Sequence, residues 1–125
     1  MNQSMYPIFR YADAPAAIAW LERAFGFTRH MVVDGEQEGT VAHAELALDG
    51  ALIMLGGGAP GTPEPGSGSL YIAVDDPDAL FARAIGVGAE VVREPVDQPY
   101  GSREFTVRDP EGNVWSFGTY RPSGD

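Results

Sequence analysis

Four landmarks in this chain recur at a single spacing. Asp13, Pro15, Gly26 and Gly50, moved on by 62 positions, fall on Asp75, Pro77, Gly88 and Gly112. Between the two sets runs Gly56 to Gly68 (GGGAPGTPEPGSG), a composition in which neither helix nor strand survives. A chain punctuated in this way folds as two like units, 5–55 and 69–119, joined by a Gly/Pro linker over 56–68. Each unit is too small to hide its apolar face alone, so 1–125 is read as one domain.

Each unit has the same order of elements. Tyr6 to Tyr11 is a strand-like apolar run. Asp13 then serves as a helix cap, with Pro15 in the first turn. Ala16 to Phe25 places Ala17, Ile18, Leu21, Ala24 and Phe25 at helical spacing, and Gly26 stops the helix. Phe27 to Val33, His43 to Leu48 and Ala51 to Leu55 read as three strands, the last two joined at Asp49-Gly50. The second unit repeats this with a strand at 70–74, a helix at 78–85 and strands from 89, 103 and 114. Asp75 and Asp76 are both candidates for its helix cap. The expected fold is α+β: two tandem βαβββ modules, each sheet with a helix on one face, together framing a concave mixed-sheet cleft.

Charge narrows the partners. Eight Lys and Arg face eighteen Asp and Glu, a formal net charge of −10, which argues against nucleic acid and against anionic membranes. There is no cysteine, so thiolate metal sites, Cys nucleophiles and disulfides are excluded. No apolar run is long enough to span a bilayer and no signal peptide is visible, so a cytoplasmic location is expected.

The opening YPIFRYADAPAAIAWLERAFGF and the ending YGSREFTVRDPEGNVWSFGTY resemble the vicinal oxygen chelate superfamily, that of glyoxalases, bleomycin-resistance proteins and extradiol dioxygenases. The resemblance covers nearly the whole chain and implies a homodimer, with clefts built across or beside the subunit boundary. It also implies four slots for ligands of a divalent metal, on the first and last strand of each module. Counting from the turns, these slots hold Tyr6, Met54, Ser69 and Ser116. None is His or Glu, and a thioether with neutral hydroxyls suits a hard or borderline dication poorly. The expectation is therefore no cofactor and no metal, closest to the metal-free bleomycin-resistance branch. A divalent metal held by displaced ligands is the alternative.

Strand alternation selects the candidate cleft residues. In HAELAL, His43 and Glu45 face opposite to Ala44, Leu46 and Leu48, and a His beside a carboxylate suits acid–base chemistry or ligand anchoring. A solvated pair is the competing reading. Tyr6, Ile8 and Tyr71 fall on first strands, where tyrosines can stack on a planar ligand, and Met54 offers a soft wall. Glu104 and Ser116 complete the set, with Glu45 and Glu104 giving a negative lining; ordinary filling between the modules is the duller role. His30 reads as a surface or edge residue, Trp115 and Phe117 as core, and the linker as a possible lid. The expected function is capture of an aromatic or cationic small molecule such as an antibiotic. A lyase, isomerase or dioxygenase, using displaced ligands or His43 and Glu45, is the alternative.

Overall fold

In the computed structural model, which describes residues 3–57 and 63–122, the two modules have matching architecture. The first runs β1 (Ile8–Arg10), α1 (Ala14–Phe25), β2 (Thr28–Asp34), β3 (Val41–Leu48) and β4 (Ala51–Gly56). The second runs β5 (Ser69–Ala73), α2 (Pro77–Gly86), β6 (Glu90–Asp97), β7 (Arg103–Arg108) and β8 (Val114–Gly118). Each forms a four-stranded mixed sheet, ordered β1-β4-β3-β2 and β5-β8-β7-β6. In each, the first strand runs parallel to the last and the other pairs are antiparallel. The expected α+β fold of tandem βαβββ modules is the fold observed.

The helix starts follow from their caps. The Asp13 carboxylate accepts from the Ala16 N–H and the Asp76 carboxylate from the Ala79 N–H, both at 3.2 Å. The cap is thus Asp76, one residue beyond the 62-residue spacing that holds at the Gly50 and Gly112 turns. Asp75 pairs instead with Arg121 at 3.3 Å. Gly26, at φ +86°, ends α1 in the left-handed region that a side chain disfavours.

One core serves both modules. Phe9 of β1 stacks on Trp115 of β8 with ring centres 4.6 Å apart and planes 15° from parallel. Phe25, the last residue of α1, lies 5.2 Å from Trp115 and 4.7 Å from Phe117. Helix α1 therefore buries a broad face that includes Ile18, Trp20, Leu21 and Phe25, whereas α2 fully buries only Pro77 and Ala84. The helix-bearing faces of the two sheets meet through this core. Their helix-free faces are turned away from it.

A buried polar clamp locks the arrangement. Asp109, 4% exposed, accepts from the Tyr11 hydroxyl at 2.6 Å and from the Trp115 indole N–H at 3.0 Å. It also accepts from the backbone N–H groups of Glu111 and Asn113. Glu111 in turn accepts from the N–H groups of Ala12 and Asp13 at 2.6 and 2.9 Å. The Asp109–Asn113 turn thus holds the start of α1 in the other module. With its charge met by four donors, the Asp109 carboxylate carries no desolvation debt. Burial, reinforced by the neighbouring Asp109 charge, pushes the Tyr11 phenol far above its ordinary value. Among the described residues, no helix is long and apolar enough to cross a membrane. Of the expected lid at 56–68, residues 58–62 lie outside the described residues.

Candidate functional site

The strand registers lay one row of side chains across each helix-free face. In the first module Ile8 lies beside Met54, Met54 beside Glu45, and Glu45 beside Met31. In the second, Tyr71 lies beside Ser116, Ser116 beside Thr106, and Thr106 beside Arg93. Lateral neighbours in a sheet point to the same side, so each row is a continuous strip. Ile8 and Met31 remain 54% and 45% exposed, so nothing among the described residues covers the ends of the first strip.

These registers correct the slot count on the first strands. Met54 sits beside Ile8 rather than Tyr6, and Ser116 beside Tyr71 rather than Ser69. Tyr6 and Ser69 keep the same parity and lie two residues along, where the Tyr6 hydroxyl donates to the Gln3 carbonyl at 2.9 Å. Either assignment leaves Met54, Ser116 and a pair from Tyr6, Ile8, Ser69 and Tyr71. That set contains no imidazole and no carboxylate, so it does not fit a divalent ion. Thr106 and Ser116 hydroxyls are hydrogen-bonded to each other at 2.9 Å.

His43 and Glu45 do meet: Nε2 lies 2.9 Å from Oε2. The structure adds a third group. Between Arg29 and Met31 the β2–β3 ladder slips by one residue, so His30 is the extra residue of a bulge. Its Nε2 lies 3.9 Å from the other carboxylate oxygen, Oε1. The two imidazoles straddle Glu45 from opposite oxygens instead of converging on one point. Consistent with this, no set of three His, Asp or Glu among the described residues is placed to hold a metal ion. The polar run Thr28-Arg29-His30 has no alternation that would announce the bulge.

Glu104 occupies the corresponding position on the other sheet, two residues before Thr106 as His43 is two before Glu45. The Tyr100 hydroxyl donates to its Oε1 at 2.9 Å, and this bond holds the Tyr100 phenol above its ordinary value. Tyr71 donates to the Tyr120 carbonyl at 2.7 Å. Tyr100 and Tyr120 meet edge to face, 6.0 Å apart with planes at 79°. Neither was marked by strand alternation, because both lie outside the strands. Glu45 lies on β3 and Glu104 on β7, in different sheets, so the expected shared negative lining is instead two acidic linings on separate faces. A cavity of about 320 Å³ opens where the modules adjoin, lined by Pro7 and Leu52 on one side and Leu70, Tyr71 and Arg121 on the other.

Known proteins share this architecture. TioX from Micromonospora sp. ML1 superposes with a TM-score of 0.80 at 31% identity, over 96% of this chain and all of that one. TnmS3, an antibiotic binding protein from Streptomyces sp. CB03234, gives 0.76 at 27% identity, over 98% and 99%. An uncharacterised protein of Mycobacterium bovis is 36% identical over 116 residues, 85% of this chain and 76% of that one. The family model described as Glyoxalase/Bleomycin resistance protein/Dioxygenase superfamily matches residues 6–117. With that match spanning both modules and their linker, the chain belongs to this superfamily.

Proposed function

We propose that the protein captures a flat aromatic small molecule, without a metal, in a groove completed by a second copy of the chain. The observation that carries this reading is the pair of strips. One is largely apolar (Ile8, Met54, Met31) around a single carboxylate. The other is hydroxyl-rich (Tyr71, Ser116, Thr106). Each is left open by the described residues, and together they have the composition of a small-molecule site: apolar walls with a few polar groups. A twofold axis that sets module one of one copy against module two of the other yields two identical grooves. The antibiotic-binding relative supports a small-molecule ligand, and the donor-poor metal slots support a binder over a metalloenzyme.

A thermal-shift panel of anthraquinones, other planar polyaromatics and bleomycin-type glycopeptides tests this. A ligand at a hundredfold excess over its Kd should raise the Tm by about 5 °C or more. A panel with no shift at saturation would count against the reading, as would a monomer by light scattering at micromolar concentration.

One observation favours a second reading, acid–base catalysis without a metal. Glu45 straddled by His30 and His43 is a carboxylate in hydrogen-bond reach of one imidazole and close to another, on an open face. If that reading holds, any turnover found among the panel compounds is abolished by His43→Ala while binding persists.

A further inference from the structure

On the second helix-free face, three tyrosines gather around one carboxylate. Glu104 on β7 lies directly across from Gly118 on β8. A Cβ at Gly118 would fall 2.5 Å from the Glu104 Cγ and 2.7 Å from the Tyr71 hydroxyl oxygen, so only a glycine lets these two side chains close over β8. The next layer is aromatic. Tyr100 reaches Glu104 through its hydroxyl, and its ring meets the Tyr120 ring edge to face. Tyr100 and Tyr120 are nevertheless 63% and 50% exposed, so their remaining surfaces face solvent beside an acid.

A bare carboxylate on a surface is ordinary. A carboxylate at the foot of two exposed, mutually perpendicular phenol rings is a corner with a chemical preference. Ring faces carry negative quadrupole density and attract a cation, best one that is large and weakly hydrated. Two positive charges lie near this corner: Arg93, beside Thr106 on β6 and felt by the Tyr100 phenol, and Arg121, which follows Tyr120 and is paired with Asp75 at 3.3 Å. The Tyr100 hydroxyl occupies Oε1 of Glu104, whereas no hydrogen bond from the described residues reaches Oε2.

We propose that Glu104, Tyr100 and Tyr120 form a subsite for an alkylated ammonium group, so that the captured molecule is an aromatic amine-bearing compound rather than a neutral one. This rests on the groove reading above and gives the ligand a second feature. The flat ring system lies along the strips, and its cationic arm reaches the tyrosine corner. A net charge of −10 favours the approach of such a ligand at low salt.

Tetramethylammonium is the direct probe, titrated into wild-type protein and followed by its methyl proton resonance. The ring currents of Tyr100 and Tyr120 should move that resonance upfield, saturably. Glu104→Gln and Tyr100→Leu should each weaken binding about tenfold, and Tyr100→Phe, which keeps the ring, by no more than about threefold. Tyr100 is exposed and Glu104 half-buried, and unchanged Tm values would show that the variants are folded. tert-Butanol, similar in shape and uncharged, should show no saturable shift. Equal behaviour of the two probes, or wild-type affinity in Glu104→Gln, overturns the proposal.

A second pair of probes separates this claim from the groove itself. A neutral anthraquinone and the same anthraquinone with a quaternary ammonium arm should both bind, the latter more tightly, and Glu104→Gln should erase the difference. If both bind equally to wild type, the corner is wrong and the groove stands. If neither binds, the groove reading falls, and tetramethylammonium still decides the corner.

Discussion

The two modules carry the same backbone and opposite chemistry. Matching their cross-strand rows sets Ile8 against Tyr71, Met54 against Ser116, Glu45 against Thr106 and Met31 against Arg93. Even the bulge recurs: His30 in β2 has its counterpart in Val92, the extra residue where the β6–β7 ladder slips between Val91 and Arg93. One face is apolar around an acid flanked by imidazoles. The other is polar, with its acid under tyrosines. The core is divided unevenly too, since α1 buries seven residues and α2 only two. A repeat fixes the scaffold and leaves each face free to diverge, so two unlike walls become available for one groove.

The comparison is broken most forcefully through the shared core. Trp115→Ala should cost about 3–5 kcal/mol in urea unfolding, because the indole of the second module packs against Phe9 and Phe25 of the first. A two-stage transition in that variant, with one module surviving, would contradict a common core. Leu21→Ala in α1 should cost about 2–5 kcal/mol. Leu80→Ala in α2, where the side chain is only partly buried, should cost at least about 1 kcal/mol less; equal losses would remove the asymmetry between the helices.

The clamp between modules gives a pH signature. Tyr11 holds its proton more tightly in the folded chain than at its ordinary value of 10.0. Above that pH the unfolded chain loses the proton first, so its contribution to stability is complete below pH 10 and lost as pH rises further. Alkaline unfolding of the wild type should steepen by about 1.4 kcal/mol per pH unit relative to Tyr11→Phe. Parallel curves for the two proteins would show that the Tyr11–Asp109 contact does not carry this sensitivity. Smallest are the helix caps: Asp13→Ala and Asp76→Ala should each cost about 1 kcal/mol, alike despite the unequal burial of their helices. A loss at Asp13 far above that at Asp76 would mean that the Glu111 clamp depends on the cap.

Fold and site were not equally legible in the sequence. The repeat of Asp, Pro and Gly landmarks exposed the modules, because caps and turns are local and their residue types have few substitutes. Alternation sets His43 and Glu45 opposite to Ala44 and Leu46, and Glu104 and Ser116 opposite to Phe105 and Phe117, neighbours that the structure buries, since side-chain parity does not depend on where a strand ends. Strand-to-strand register did not follow from the sequence, and with it the pairing of Met54 with Ile8 was missed. His30 escaped because a bulge is a property of two strands together. Tyr100 and Tyr120 escaped because residues outside strands have no parity, and only the folded chain brings them to Glu104.

The central claim is that one groove needs module one of one chain and module two of another. Met54→Arg and Ser116→Arg each block one wall, so either variant alone should fail to bind the planar aromatic compound that wild type binds. The measurement is calorimetric stoichiometry after the two variants are mixed by refolding together. In a mixed dimer both blocked walls fall in one groove and the other is intact. The mixture should therefore regain about one site for every four in wild type. If the groove lay within a single chain, every groove would contain one blocked wall, and no binding would return.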